Sequence, residues 1–377
     1  HKNKSCMIIK ISHQSGAIVA LFMCGMISLH GGITLLYLSM TSVALTSQEI
    51  LMLYLSGCLG VMLIPLMGAS CERVVLAALA AKILLVLCAL STGTVWTIPE
   101  ALCSGLIASS SFYFAMREVS KRQNGKLLAS VLILIINIES LVWYAAFGWL
   151  SELQSQVWLP LAYGLATILP LLYISTFVST AVTHRVDLKQ LLDLSKSLKV
   201  YNLCCYMLAV FAVNCFNLSL HHWAKLDAQH WWGSVPGITG FYILGILSSV
   251  ALLSRLKVRN EKLLIVALLG LCAMGYWLGG GATQDSLLLI AAVFGLGGTS
   301  TMVMSSIVAD LVQTHDTLSR LLVVAVLAAM QVCLICIAEV FADSAINEWQ
   351  VIAVTGVALI ILKVCQLCIE SSTFKPQ

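Results

Sequence analysis

Apolar stretches of about 20 residues, separated by short polar gaps, follow one another along the whole chain. A stretch of that length is what an α-helix needs to cross a hydrocarbon core of about 30 Å. Cutting at charged and turn residues predicts twelve spans, at 15–40, 49–68, 74–92, 95–116, 127–149, 157–180, 200–221, 235–254, 263–280, 286–309, 320–342 and 350–369. The gap 41–48 is itself fairly apolar and marks its boundary weakly.

Basic residues occupy every second gap. With the N-terminus inside, the inner segments hold Arg73, then Arg117, Lys121, Arg122 and Lys126, then Arg185, Lys189, Lys196 and Lys199. Arg255, Lys257, Arg259 and Lys262 follow, then Arg320, then Lys375. The outer gaps hold Lys225 as their one basic residue, beside Glu49, Glu152, Asp227, Asp285, Asp343 and Glu348. Cytoplasmic loops retain Lys and Arg while short translocated loops lose them, so both termini are predicted to be cytoplasmic. Lys82 and Lys363 fall within spans, both read as nearer the inner end.

The longest inner gap, 181–199, places Leu188, Leu191, Leu192 and Leu198 at helical spacing between Lys and Asp residues. It reads as an amphipathic helix lying on the cytoplasmic face. The expected organisation is therefore an all-α polytopic membrane protein. A six-helix bundle (1–180) is followed by the linker (181–199) and a second six-helix bundle (200–377).

Composition agrees. The 377 residues are 60% hydrophobic and 10% charged, where soluble domains carry about 25% charge. Lipid is the solvent for most of the chain. The net charge of +4 reports topology and points to no nucleic-acid partner. Fourteen Cys lie mostly inside apolar runs and read as small helix residues, with no metal or cofactor implied. Lys2, Lys4 and Lys10 precede the first run, which has no clear cleavage site and is read as a retained span. No Walker loop and no potassium-filter sequence appears.

Six spans, a basic central loop and six spans resemble the major facilitator superfamily, whose halves are related repeats. That family's signature loop between spans two and three reads Gly-x-x-x-Asp-Arg. Here the place holds Gly68, Glu72 and Arg73 at matching spacing, while the Gly and basic residues that follow in the family are missing. The resemblance implies an inner gate at Gly68, Glu72 and Arg73, with a snorkelling loop charge as the alternative. Span five lacks the Gly-Pro-Gly-Gly pattern of the family's drug antiporters, which slightly favours uptake over export.

Several in-span polar residues are candidates for work. Glu139 lies near the middle of span five, where an ionised carboxylate costs about 2.5–3.5 kcal/mol on insertion scales. Burial keeps such a group protonated until water reaches it, which suits proton coupling. His30, beside Gly31 and Gly32 in span one, is the second coupling candidate. Substrate contacts are expected from Tyr37, Tyr113, Trp143, Tyr206, Asn214 and Gln331. Asn202, Asn217 and His221 extend the polar face of span seven, which the resemblance makes cavity-lining. The plainer alternative at each position is a hydrogen bond between helices. Span ten, rich in Gly, Ser and Thr from Gly295 to Ser306, reads as a tightly packed helix or a path lining.

The segment His221 to Trp232 reads as an outer loop with three His, three Trp and a His222-x4-Asp227 spacing. The Trp residues fit an interfacial belt, and an acyltransferase site is the minor alternative. No Arg lies mid-span, and the implied fold puts Lys82 and Lys363 at the periphery. A neutral, zwitterionic or cationic solute is therefore expected over a strongly anionic one.

The expected function is secondary active transport of a small solute by alternating access, coupled to H+, by a non-enzymatic monomer in the lipid bilayer of a bacterial inner membrane. Uptake of a nutrient, metal-chelate or siderophore is favoured. An H+-driven exporter of a metabolite, siderophore or drug is the alternative. A membrane-embedded acyltransferase or lipid-moving protein is the alternative of another class.

Overall fold

The computed structural model describes residues 71–92, 200–226, 230–256, 260–312 and 347–373, and positions 99, 102, 103, 106 and 135. Among the described residues there is no strand. The described residues form six long helices: α1 (Cys71–Thr92), α2 (Val200–Leu226), α3 (Val235–Arg255), α4 (Asn260–Gly279), α5 (Ser286–Val312) and α6 (Glu348–Thr373). They coincide with predicted spans three, seven, eight, nine, ten and twelve, with ends within five residues of the expected ones. The other spans, the linker helix 181–199 and both termini lie outside the described residues.

Pro236–Arg255, Glu261–Gly279, Ser286–Ile307 and Glu348–Ile369 are each long and apolar enough to cross a membrane. α5 is the centre of the described bundle, packing against α2, α3 and α4, while α6 packs against α2 and α4. Half of the α5 span is buried but only 17% of the α6 span. The outward side chains of α6, among them Val354, Ile361, Leu362 and Ile369, are exposed and apolar. Water would penalise that surface, whereas lipid does not, so α6 is a rim helix.

Glycine sets the closest approach. A Cβ added at Gly245 on α3 would run into the Phe294 carbonyl of α5, and one at Gly297 on α5 would run into the Tyr242 carbonyl of α3. The two backbones therefore touch, which is how helices in lipid gain van der Waals contact without a hydrophobic driving force. Cys205, Ala209, Ala212, Ile246, Leu271, Ala292, Val293 and Leu296 fill the core around this seam.

Short polar residues start three of the helices. The Ser234 hydroxyl accepts from Gly237 N–H at 3.3 Å. An Asp285 carboxylate oxygen accepts from the Leu287 and Leu288 amides at 3.0 and 3.4 Å. The Asn347 side-chain oxygen accepts from Trp349 N–H at 2.9 Å, and its amide donates to the Gly279 carbonyl at 3.4 Å. Each satisfies amides that a helix N-terminus leaves open. Gly281, at φ 109°, makes the left-handed turn between α4 and α5.

Two expectations need correction. Residues 221–226 are not loop, because α2 continues as a helix through His221 and His222 to Leu226. Trp223 is not a belt residue, being only 2% exposed within the core. Its ring lies 5.5 Å from Trp349 and 6.0 Å from Phe216. The five extra helical residues carry it onto the packed face of α2. Trp231, 69% exposed, does have the exposure of a belt residue.

Candidate functional site

Of the predicted coupling and substrate residues, the described structure holds Tyr206 and the backbone of Asn214, both on α2. Tyr206 is 4% exposed and belongs to the core cluster. Glu139, His30, Tyr37, Tyr113, Trp143, Gln331 and Gly68 lie outside the described residues. The backbone of Glu72 and Arg73 falls within α1.

An aromatic column joins α2, α3 and α6. The Phe216 and Tyr242 rings stack at 4.2 Å with 11° between planes, and Trp223 and Trp349 continue the column. At the other end of α2, the Lys363 ammonium of α6 stands 5.4 Å over the Tyr201 ring and donates to Gln366 Oε1 at 3.5 Å. Such a cation–π contact contributes about 0.5–1 kcal/mol where partly exposed.

The hydroxyls of α5 are largely turned onto their own helix. Thr299 donates to the Gly295 carbonyl at 2.9 Å, Ser300 to Leu296 at 2.7 Å and Thr301 to Gly297 at 2.8 Å. Ser305 donates to Thr301 at 2.6 Å. These bonds take the donors out of use for a solute, so this stretch of span ten serves packing. Ser306 differs. It is 2% exposed and its hydroxyl has no hydrogen-bond partner.

Lys82 overturns a premise of the sequence analysis. It lies eleven residues from Cys71 and ten from Thr92. It is fully buried and is the one buried charged side chain among the described residues. Ala77, Ala80, Leu84, Leu87, Cys88 and Ser91 are the exposed residues of α1 and fall on one face. At 100° per residue, Lys82 sits about 170° from the middle of that face. It is turned away from lipid and cannot be explained as a snorkelling charge.

No sequence profile of a known family matches the chain, and no curated protein matches it in sequence. Solved structures do match in shape. The human organic anion transporter MFSD10 (TETRAN) superposes with a TM-score of 0.62 at 13% identity, over 92% of this chain and 99% of that one. The major facilitator proton:xylose symporter XylE, bound to 6-bromo-6-deoxy-D-glucose, gives 0.65 at 11% identity, over 92% and 94%. The major facilitator transporter FucP in its outward conformation gives 0.64 at 12% identity, over 95% and 97%.

The chain has the major facilitator fold.

Coverage of more than nine-tenths of both partners makes the likeness one of whole architecture, not of a shared helical hairpin. With apolar helices of spanning length, this makes the chain an all-helical integral membrane protein. The resemblance implies that α2 lines the solute path, while the small residues of α5 fit either tight packing or a path lining. The hydroxyl stripe of α5 nevertheless spends most of its donors internally.

Proposed function

We propose that this protein is a secondary active transporter that moves a small solute by alternating access between its two halves. The observation that carries this reading is the likeness to transporters of the major facilitator fold over more than nine-tenths of each chain. XylE is a proton:xylose symporter, and a further FucP structure is that of the E. coli fucose:proton symporter, which supports H+ as the coupling ion. MFSD10 carries organic anions, so the neighbours span neutral and charged solutes and the fold alone does not select between them.

Glu139 is the proposed proton carrier and His30 the second. Tyr37, Tyr113, Trp143, Tyr206, Asn214 and Gln331 are the proposed solute contacts, and Gly68, Glu72 and Arg73 the inner gate. Carboxylate placement in mid-span supports the coupling role, because an ionised carboxylate there is costly unless it is used. The protein is proposed to act as a monomer in a bacterial inner membrane, favouring uptake, with H+-driven export as the second direction.

Transport by purified protein in liposomes under an imposed pH gradient tests the coupling. Glu139→Gln is expected to abolish gradient-driven accumulation while leaving solute exchange at equal pH intact. Full gradient-driven accumulation by Glu139→Gln removes the assignment.

A further inference from the structure

The rim helix α6 carries a single basic residue, Lys363. At 1.5 Å per residue it stands about 22 Å from the end of α6 that Asn347 caps. In a hydrocarbon core of about 30 Å this is the last third, on the side that the loop charges assign to the cytoplasm. Ile361, Leu362, Val364 and Ile369 around it are exposed and apolar, so this stretch of α6 meets acyl chains. Lys363 does not swing freely over that surface. Its ammonium stands 5.4 Å over the Tyr201 ring of α2, across the groove between the two helices. It also donates to Gln366 Oε1 at 3.5 Å. Gln366 lies nearly one turn closer to the inner end, so this bond draws the lysine arm toward the edge of the core. Both partners are neutral. An ammonium has three N–H donors, and one long hydrogen bond leaves donors for a further acceptor.

We propose that the lipid-facing groove between α2 and α6 seats an anionic phospholipid of the inner leaflet, with its phosphate on Lys363. Charge complementarity selects the occupant. A cation at this depth is costly unless an anion meets it. The surface around it is apolar and exposed, so the anion at hand is a lipid phosphate whose chains lie along Ile361 and Leu362. Phosphate oxygens only accept and an ammonium only donates, which makes short charge-assisted bonds. A zwitterionic lipid brings its own cation beside the phosphate, and that cation competes with Lys363. An anionic headgroup such as phosphatidylglycerol has no such competitor. Tyr201 and Gln366 position the ammonium, which lowers the ordering cost of binding. The site lies on the rim of the bundle and does not depend on the transporter reading.

Thermal unfolding of the purified protein in a neutral detergent tests this, titrated with dioleoyl phosphatidylglycerol, dioleoyl phosphatidylcholine or inorganic phosphate. Saturable stabilisation by phosphatidylglycerol is expected, with weaker stabilisation by phosphatidylcholine and none by inorganic phosphate. Lys363→Met is expected to raise the half-saturating concentration of phosphatidylglycerol about fivefold, the worth of one basic residue at an anionic lipid surface. Lys363→Arg is expected to stay closer to the parent than to Lys363→Met. Arg255→Gln removes another exposed charge, in the last turn of α3, and is expected to leave the half-saturation unchanged. Should Lys363→Met fail to fold, Lys363→Gln takes its place, and the headgroup preference of the unmodified protein needs no variant. An unchanged response in Lys363→Met overturns the inference. An equal loss in Arg255→Gln does so too, because it means diffuse attraction. Equal stabilisation by phosphatidylcholine removes the anionic preference, and stabilisation by inorganic phosphate alone removes the lipid.

Discussion

Gly245→Ala adds a single methyl group at the place where α3 and α5 come closest. The new Cβ would overlap the Phe294 carbonyl oxygen, at a separation that real Cβ atoms do not show. That oxygen belongs to helix backbone and cannot swing aside as a side chain would. The helices must therefore part by roughly 1 Å or bend, and overpacking of this kind costs about 1–3 kcal/mol. Opening a gap of that size forfeits a quarter to a half of each dispersion contact across the seam. The loss falls on the contacts of Ile246, Val293 and Leu296, all buried there. Against it stands a gain of about 0.4–1 kcal/mol, because alanine restricts the unfolded chain more than glycine does. The net expectation is a loss of about 1–2 kcal/mol. At about 2–4 °C per kcal/mol for a unit the size of one half, the melting point falls by about 2–8 °C. Gly240→Ala is the matched control, since a Cβ there meets nothing within 4 Å. It gains the unfolded-state term without the clash and is expected to melt at or above the parent. The assay is thermal unfolding of the purified proteins in detergent, read by size-exclusion chromatography after heating. If Gly245→Ala melts with Gly240→Ala, the backbone contact between α3 and α5 is refuted.

Two further outcomes follow from the same packing. Trp223→Ala is expected to cost about 3–5 kcal/mol, as for a large aromatic removed from a core, and a shift equivalent to less than 1 kcal/mol in the same assay would return Trp223 to the membrane interface. Ser306→Ala is expected to leave the melting point unchanged or raise it, because it removes a buried hydroxyl that has no partner; a clear fall in melting point would mean the hydroxyl is bonded in the membrane-embedded protein.

The sequence by itself determined the class of molecule and the positions of the described helices. Spans seven to ten and twelve were legible because lipid imposes one rule on the backbone. Every amide must be bonded within its own helix, so length and apolarity suffice to mark a span. Ser234, Asp285 and Asn347 were also readable in principle, since short polar residues just ahead of an apolar run are helix-start signals. Asp285 was instead read only as a topology charge. The reach of α2 past His222 was missed because polar side chains in its last turns look like loop when sequence is cut at charges.

Which face of each helix meets protein was decided by tertiary structure alone. In water, a helix shows its buried face by apolar periodicity. In lipid, both faces are apolar, so the pattern around Lys82 did not reveal whether it looked outward or inward. Burial resolved that: the face of α1 that carries Lys82 is turned inward. Trp223 was ambiguous for the same reason, because an indole is at home both in a core and at a membrane interface. The hydroxyls of α5 looked like a possible path until their bonds to their own helix were seen. Sequence records which groups are present at a given depth. Only packing shows which of them are already in use.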